Sequence, residues 1–132
     1  MLLSNNFSLL EFTRSETADR LGIRNRPLFE HVLNLSYLAS RMEVMRRILD
    51  NRPIQITSGY RCHQLNVAVG GSATSDHLKG LACDFFKPIG YSDSVLKDLF
   101  LSKFGNFDQI IIYPSFIHVG LGSQMRRQVL IK

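Results

Sequence analysis

Three residues of this chain have the types and spacing to hold a metal ion: His77, Asp84 and His118. They stand in Ser75-Asp76-His77-Leu78-Lys79-Gly80-Leu81-Ala82-Cys83-Asp84 and in Phe116-Ile117-His118-Val119. Two imidazoles and one carboxylate suit a zinc ion that keeps its fourth position open for water. Chemistry at such an open site is most often hydrolysis. Taken singly, each residue has a plainer reading. A strand Asp is usually exposed, and a lone His usually finds one hydrogen bond. A structural site built from Cys62, His63, Cys83 and His118 is the other metal reading, but it lacks the close cysteine spacing of structural zinc sites.

The elements around these residues decide whether they can meet. Leu81 to Phe86 reads as a strand with Leu81, Cys83 and Phe85 on one face and Ala82 and Asp84 on the other. Phe116 to Leu121 reads the same way, with Ile117, Val119 and Leu121 opposed to Phe116, His118 and Gly120. Each strand thus buries an apolar face and offers one ligand type on the other. Gly80 permits the sharp turn that folds His77 back over that face. Phe107 to Tyr113 precedes the second strand across Pro114-Ser115, a hairpin signal. Ile54 to Ser58 and Gln128 to Ile131 read as further strands, the last at an edge.

Helices dominate the first part. Ser8-Leu9-Leu10-Glu11 has the form of a capping box, and Ser15 caps a helix over Glu16 to Leu21 that Gly22 ends. Pro27 is suited to be the first residue of a long helix. In it Leu28, Val32, Leu35, Leu38, Met42, Met45 and Leu49 recur at three- and four-residue steps. Its methionines read as core filling. His63 to Val69 can form a turn or two of helix, and Ser92 caps a helix through Leu101. The predicted class is α+β, one domain over residues 1–132, with residues 1–50 helical and an antiparallel sheet carrying the metal site in 51–132.

Sixteen Lys and Arg against eleven Asp and Glu give a net charge of +5. That balance favours anionic partners such as nucleic acid, anionic lipid or a bacterial wall polymer. No basic block with interleaved aromatics or known binding motif supports nucleic acid. Cys62 and Cys83 read as buried free thiols. No stretch is long enough to span a membrane, and Met1-Leu2-Leu3 has no signal-peptide form. The chain is therefore expected to be made in the cytoplasm, so that another agent must deliver it to any outside substrate.

The motifs taken together resemble the zinc D-Ala-D-Ala carboxypeptidase and L-alanyl-D-glutamate peptidase family. That family belongs to the wider group that includes lysostaphin-type enzymes and the hedgehog zinc fold. The resemblance rests on Ser58-Gly59-Tyr60-Arg61 with Asn66, on Gly70-Gly71-Ser72, on Ser75 to Asp84, and on Phe107-Asp108-Gln109 with His118. Phe7 to Glu11 and Arg14 to Ala18 are similar to its N-terminal helices. It implies His77, Asp84 and His118 as zinc ligands and Arg61 as the residue that grips substrate beside the scissile bond. Ser75 and Gln109 are implied as supporting groups, Asp108 and Asn66 as structural ones. The implied substrate is a peptidoglycan stem peptide. The compact form is common among phage and prophage wall peptidases, which implies action after lysis or within a virion beside other phage proteins.

One departure matters. Active relatives carry a Glu or His before the final His, whereas Ile110 to Ile117 contains neither. Tyr113 stands near that place, yet a phenol is a poor base at neutral pH. Asp76, beside a ligand, is the other candidate base. Asp108 falls on the strand face opposite Tyr113. Two readings follow: a zinc peptidase with an unusual base, or a structural or wall-binding protein that keeps the fold without turnover.

Overall fold

The computed structural model describes residues 1–132. It is an α+β fold of five α-helices and a five-stranded mixed sheet. The helices are α1 (Leu9–Thr13), α2 (Glu16–Leu21), α3 (Phe29–Ile48), α4 (His63–Ala68) and α5 (Asp93–Lys103). The strands are β1 (Ile56–Ser58), β2 (Ala82–Phe86), β3 (Gln109–Ile112), β4 (Phe116–Gly120) and β5 (Gln128–Ile131). A 3₁₀ turn, Asp76–Lys79, precedes β2. No helix is long and apolar enough to cross a membrane.

The helix starts follow local chemistry. Ser8, Ser15 and Ser92 each accept a hydrogen bond from a backbone N–H of the first turn they cap. Gly22 closes α2 in the left-handed conformation. The long helix differs from expectation at its start. Pro27 lies outside it, and α3 begins at Phe29. The Leu28 N–H donates to Nδ1 of His31 at 3.0 Å, so a side chain from the first turn, and not proline geometry, sets the boundary.

The strand order is β1-β2-β4-β3-β5. The first three pairings are antiparallel, but β5 runs parallel to β3. This corrects the all-antiparallel expectation, and the reason is geometric. Strand β4 ends opposite Gln109 at the start of β3, and β5 begins opposite the same residue. A chain that leaves and re-enters at one end of β3 must run in the direction of β3.

One face of the sheet forms the core. Cys83, Phe85, Ile110, Ile112, Ile117 and Val119 pack there with Leu35, Leu38, Met42 and Met45 of α3 and with Leu96 and Phe100 of α5. Each fully buried large side chain contributes about 1.5–3 kcal/mol. That face fixes the sheet's register, because a slip of one residue would turn the apolar set outward. The opposite face is then free to carry Asp84 and His118.

Candidate metal centre

Asp84 and His118 are direct cross-strand partners of β2 and β4. Nδ1 of His118 is hydrogen-bonded to Oδ1 of Asp84 at 2.8 Å. Nε2 of His77 lies 3.5 Å from the same oxygen. One ligand atom from each of the three falls within 4.8 Å of the others, and no other group of three or more His, Cys, Asp and Glu residues does so. The alternative set built on Cys62, His63 and Cys83 therefore does not assemble. Both thiols are free, Cys83 buried and Cys62 only partly so.

His77 comes to the sheet through the 3₁₀ turn. Ser75 caps that turn by accepting the His77 N–H at 3.2 Å. Gly80 ends it at φ +74°, and an added Cβ would press on the His31 carbonyl of α3 at 2.9 Å. Asn34 of α3 donates to the Lys79 carbonyl at 2.8 Å and holds the turn from the same side. The ring itself is oriented by the backbone: Nδ1 of His77 is 2.7 Å from the Gly59 carbonyl. A carbonyl only accepts, so Nδ1 carries the proton and Nε2 keeps its lone pair toward Asp84.

Asp84 is held as a carboxylate. Burial would raise its pKa, but the hydrogen bond from His118 and the closeness of the His77 ring hold it far below the usual carboxylate range. A guanidinium nitrogen of Arg61 lies 3.8 Å from Oδ2 of Asp84. Burial pulls the arginine's own pKa down, and Asp84 opposes this.

Arg61 is fixed from several directions. Ser58 Oγ and Asn66 Oδ1 each accept from its side chain at 3.3 Å. Its N–H donates to the His77 carbonyl at 3.0 Å, which ties it to the ligand turn. Gly71 leaves room for this, since a Cβ there would collide with the Asn66 carboxamide and crowd the guanidinium. Asn66 ties its loop by donating to the Ser72 carbonyl at 2.9 Å. Asn25 had no signal in the sequence, yet its amide donates to the Thr13 and Tyr60 carbonyls while its Oδ1 accepts the Cys62 N–H. It thereby staples the segment that carries Arg61. Arg61→Lys is expected to lower hydrolytic turnover at this cluster about a hundredfold, the loss of a positioned charged donor. Metal content should stay unchanged, because His77, Asp84 and His118 all remain and a lysine keeps the positive charge beside Asp84 while losing the planar fork.

The candidate bases separate in space. Asp76 lines a depression of about 470 Å3, without any hydrophobic residue in its lining, together with Arg61, Gln109 and His118. Tyr113 does not line it; its ring stacks on Phe116 at 4.4 Å between centroids. Two glycines make room for Asp76. A Cβ on Gly122 would stand 2.6 Å from Oδ2 of Asp76. A Cβ on Gly120 would stand 3.3 Å from that oxygen and 3.4 Å from Nε2 of His118, so the carboxylate and the imidazole share one small space. Lys79 lies 3.9 Å from the other oxygen of Asp76.

Asp108 serves the wall of the depression. It accepts from Arg126 Nε at 2.8 Å, from Nη2 at 3.1 Å and from the Arg126 N–H at 3.1 Å. These bonds anchor the β4–β5 loop, in which Met125 and Arg127 are left-handed. They also hold the Asp108 carboxyl below its ordinary range. Asp108→Asn should lower the melting midpoint by about 2 °C. A carboxyl lowered by folding adds stability above its unfolded pKa and loses it as pH falls through its folded pKa. The gap between wild type and variant should therefore close in acid, as thermal scans from pH 7 to 2 would show. Gln109, expected to support the site, also donates its side-chain amide to Gln128 of β5 at 2.7 Å.

An α+β fold with a His-Asp-His cluster on the open face of its sheet defines a candidate metallohydrolase. The family profile of Peptidase M15 matches residues 5–120, and the chain belongs to that family of metallopeptidases. No curated protein sequence matches the chain.

Proposed function

We propose that this chain is a zinc-dependent peptidase that cleaves peptidoglycan stem peptides. The observation that carries the reading is the oriented His77. Its Nδ1–H is spent on the Gly59 carbonyl, and its Nε2 is aimed into the cluster with Asp84 and His118. A metal-ligating imidazole is oriented in this way, with its other ring N–H held by a carbonyl or carboxylate. The donor set of two nitrogens and one carboxylate fits zinc with an open position.

Zinc held there would lower the pKa of a water to about 7 and polarise the substrate carbonyl. The chain's own groups complete the reaction. Arg61 presents its fork beside Asp84, where it can hold the carbonyl oxygen as charge develops. Asp76 takes the proton from the attacking water and delivers it to the departing amine. Its Oδ2 and Nε2 of His118 both border the space over Gly120, which supports Asp76 as the base that Ile110 to Ile117 does not supply. The net charge of +5 adds weak attraction to an anionic wall, which salt would screen. The resemblance to compact phage enzymes supports a phage-encoded protein that reaches the wall at lysis or in a particle.

The test is to incubate purified protein with sacculi or muropeptides, with and without a chelator. Chelator-sensitive release of new amino groups is expected. Stoichiometric zinc without any release would overturn turnover and leave the wall-binding reading.

A further inference from the structure

Helix α3 is apolar on two sides. Leu35, Leu38, Met42 and Met45 belong to the core. Phe29, Leu33 and Tyr37 follow one another at four-residue steps on the other side, where they are 78%, 56% and 43% exposed. A surface helix of a globular protein normally carries polar and charged residues there. Single apolar side chains on a surface are ordinary, but a run of them along one face marks an interaction site.

The face has the pattern of a helix-pairing seam. Glu30, Leu33, Tyr37, Ser40, Val44 and Arg47 recur at alternating steps of three and four residues, the heptad spacing. All are exposed except Val44, which is half-buried. The seam runs almost the full length of the 20-residue helix, about 30 Å.

The seam is complementary to itself when reversed. With a two-fold axis between Tyr37 and Ser40, Tyr37 meets Ser40 of a second copy, a large ring against a small side chain. Leu33 meets Val44. Glu30, in the first turn, meets Arg47, in the last. Two-fold symmetry makes each of these contacts twice. A parallel pairing would instead set Glu30 on Glu30 and Arg47 on Arg47, like charges that oppose it. Glu30 and Arg47 also suit the dipole of their own helix. The apolar layer between them has no such second use.

From this face we infer that the chain forms a two-fold dimer through antiparallel pairing of α3. The inference does not depend on the peptidase reading. The turn that carries His77 lies against the His31 carbonyl and Leu35, on the core side of α3. Pairing through the seam therefore leaves the metal cluster of each copy open, and one particle carries two of them.

The test is sedimentation equilibrium on the full chain from about 1 to 100 µM, the range suited to a small interface. The wild type should approach twice its 15.1 kDa at the highest concentration. Leu33→Arg buries an unpaired charge in the seam and should weaken association by about a hundredfold or more. Its metal content and turnover per chain should stay within about twofold of wild type, since the site is remote. Glu30→Arg and Arg47→Glu should each weaken association about tenfold when alone. Mixed in equal amounts they should associate again, because one then carries positive charge at both ends of the seam and the other negative. These positions are exposed, so circular dichroism should show every variant folded. A wild type that stays monomeric at the highest concentration would overturn the inference and leave the face to a different protein. A dimer indifferent to Leu33→Arg, or charge variants that fail to associate on mixing, would overturn it as well.

Discussion

His77→Ala is expected to abolish zinc binding and to lower peptide cleavage by about a thousandfold or more. The magnitude follows from the several kcal/mol that a catalytic ion contributes, at about 1.4 kcal/mol per tenfold in rate. The expected loss is specific because, of the three cluster residues, His77 is the one whose orientation the fold prepares most completely. The Ser75 cap, the Gly80 turn and the Gly59 carbonyl all act on it. Removing the ring also leaves a buried carbonyl without its donor, which costs about 1–3 kcal/mol of stability. Circular dichroism and a melting curve separate that cost from the loss of chemistry. The variant should remain folded at 25 °C, bind no zinc and release no amino groups from muropeptides. A folded His77→Ala protein with wild-type zinc content would remove this residue from the ligand set.

Asp76→Asn has the second-largest effect expected: turnover falls by about a hundred- to ten-thousandfold, the range of a positioned acid–base group, while zinc content is unchanged. Asparagine keeps the shape and much of the hydrogen bonding but cannot take a proton. Gly122→Ala tests the same residue from the other side. Its methyl would occupy space now held by Oδ2 of Asp76, so the carboxylate must swing away. It should lose turnover in the same direction as Asp76→Asn while keeping both metal and fold, since Gly122 is not in a left-handed conformation. Tyr113→Phe, by contrast, should keep most of the activity, because that ring packs on Phe116 outside the polar depression. If Tyr113→Phe were inactive and Asp76→Asn active, the two residues would exchange roles.

Much of this site was legible because β-strand alternation is a strict rule. Cys83, Phe85, Ile117 and Val119 had to face the core, so Asp84 and His118 had to face away from it. Gly80 marked the turn that returns His77. Other features left little trace in the residues themselves. The Gly59 carbonyl orients His77 through the backbone, which no side-chain pattern records. Asn25 looks like any loop asparagine until its three partners are known. The parallel course of β5 depends on which strand it joins, and Gln128 to Ile131 carries no sign of that choice. The room for Asp76 was written as two glycines forty-four and forty-six residues downstream, at Gly120 and Gly122. Their meaning appears only when β4 and the 3₁₀ turn lie side by side.

The most direct measurement of the central claim is zinc per chain, by elemental mass spectrometry after dialysis into metal-free buffer, for the wild type and for Asp84→Asn. Asp84 contacts both imidazoles, so its loss as a charged ligand should empty the site. The account predicts about one zinc per wild-type chain and almost none in the variant. Less than about half a zinc in the wild type, or equal zinc in both, would contradict it.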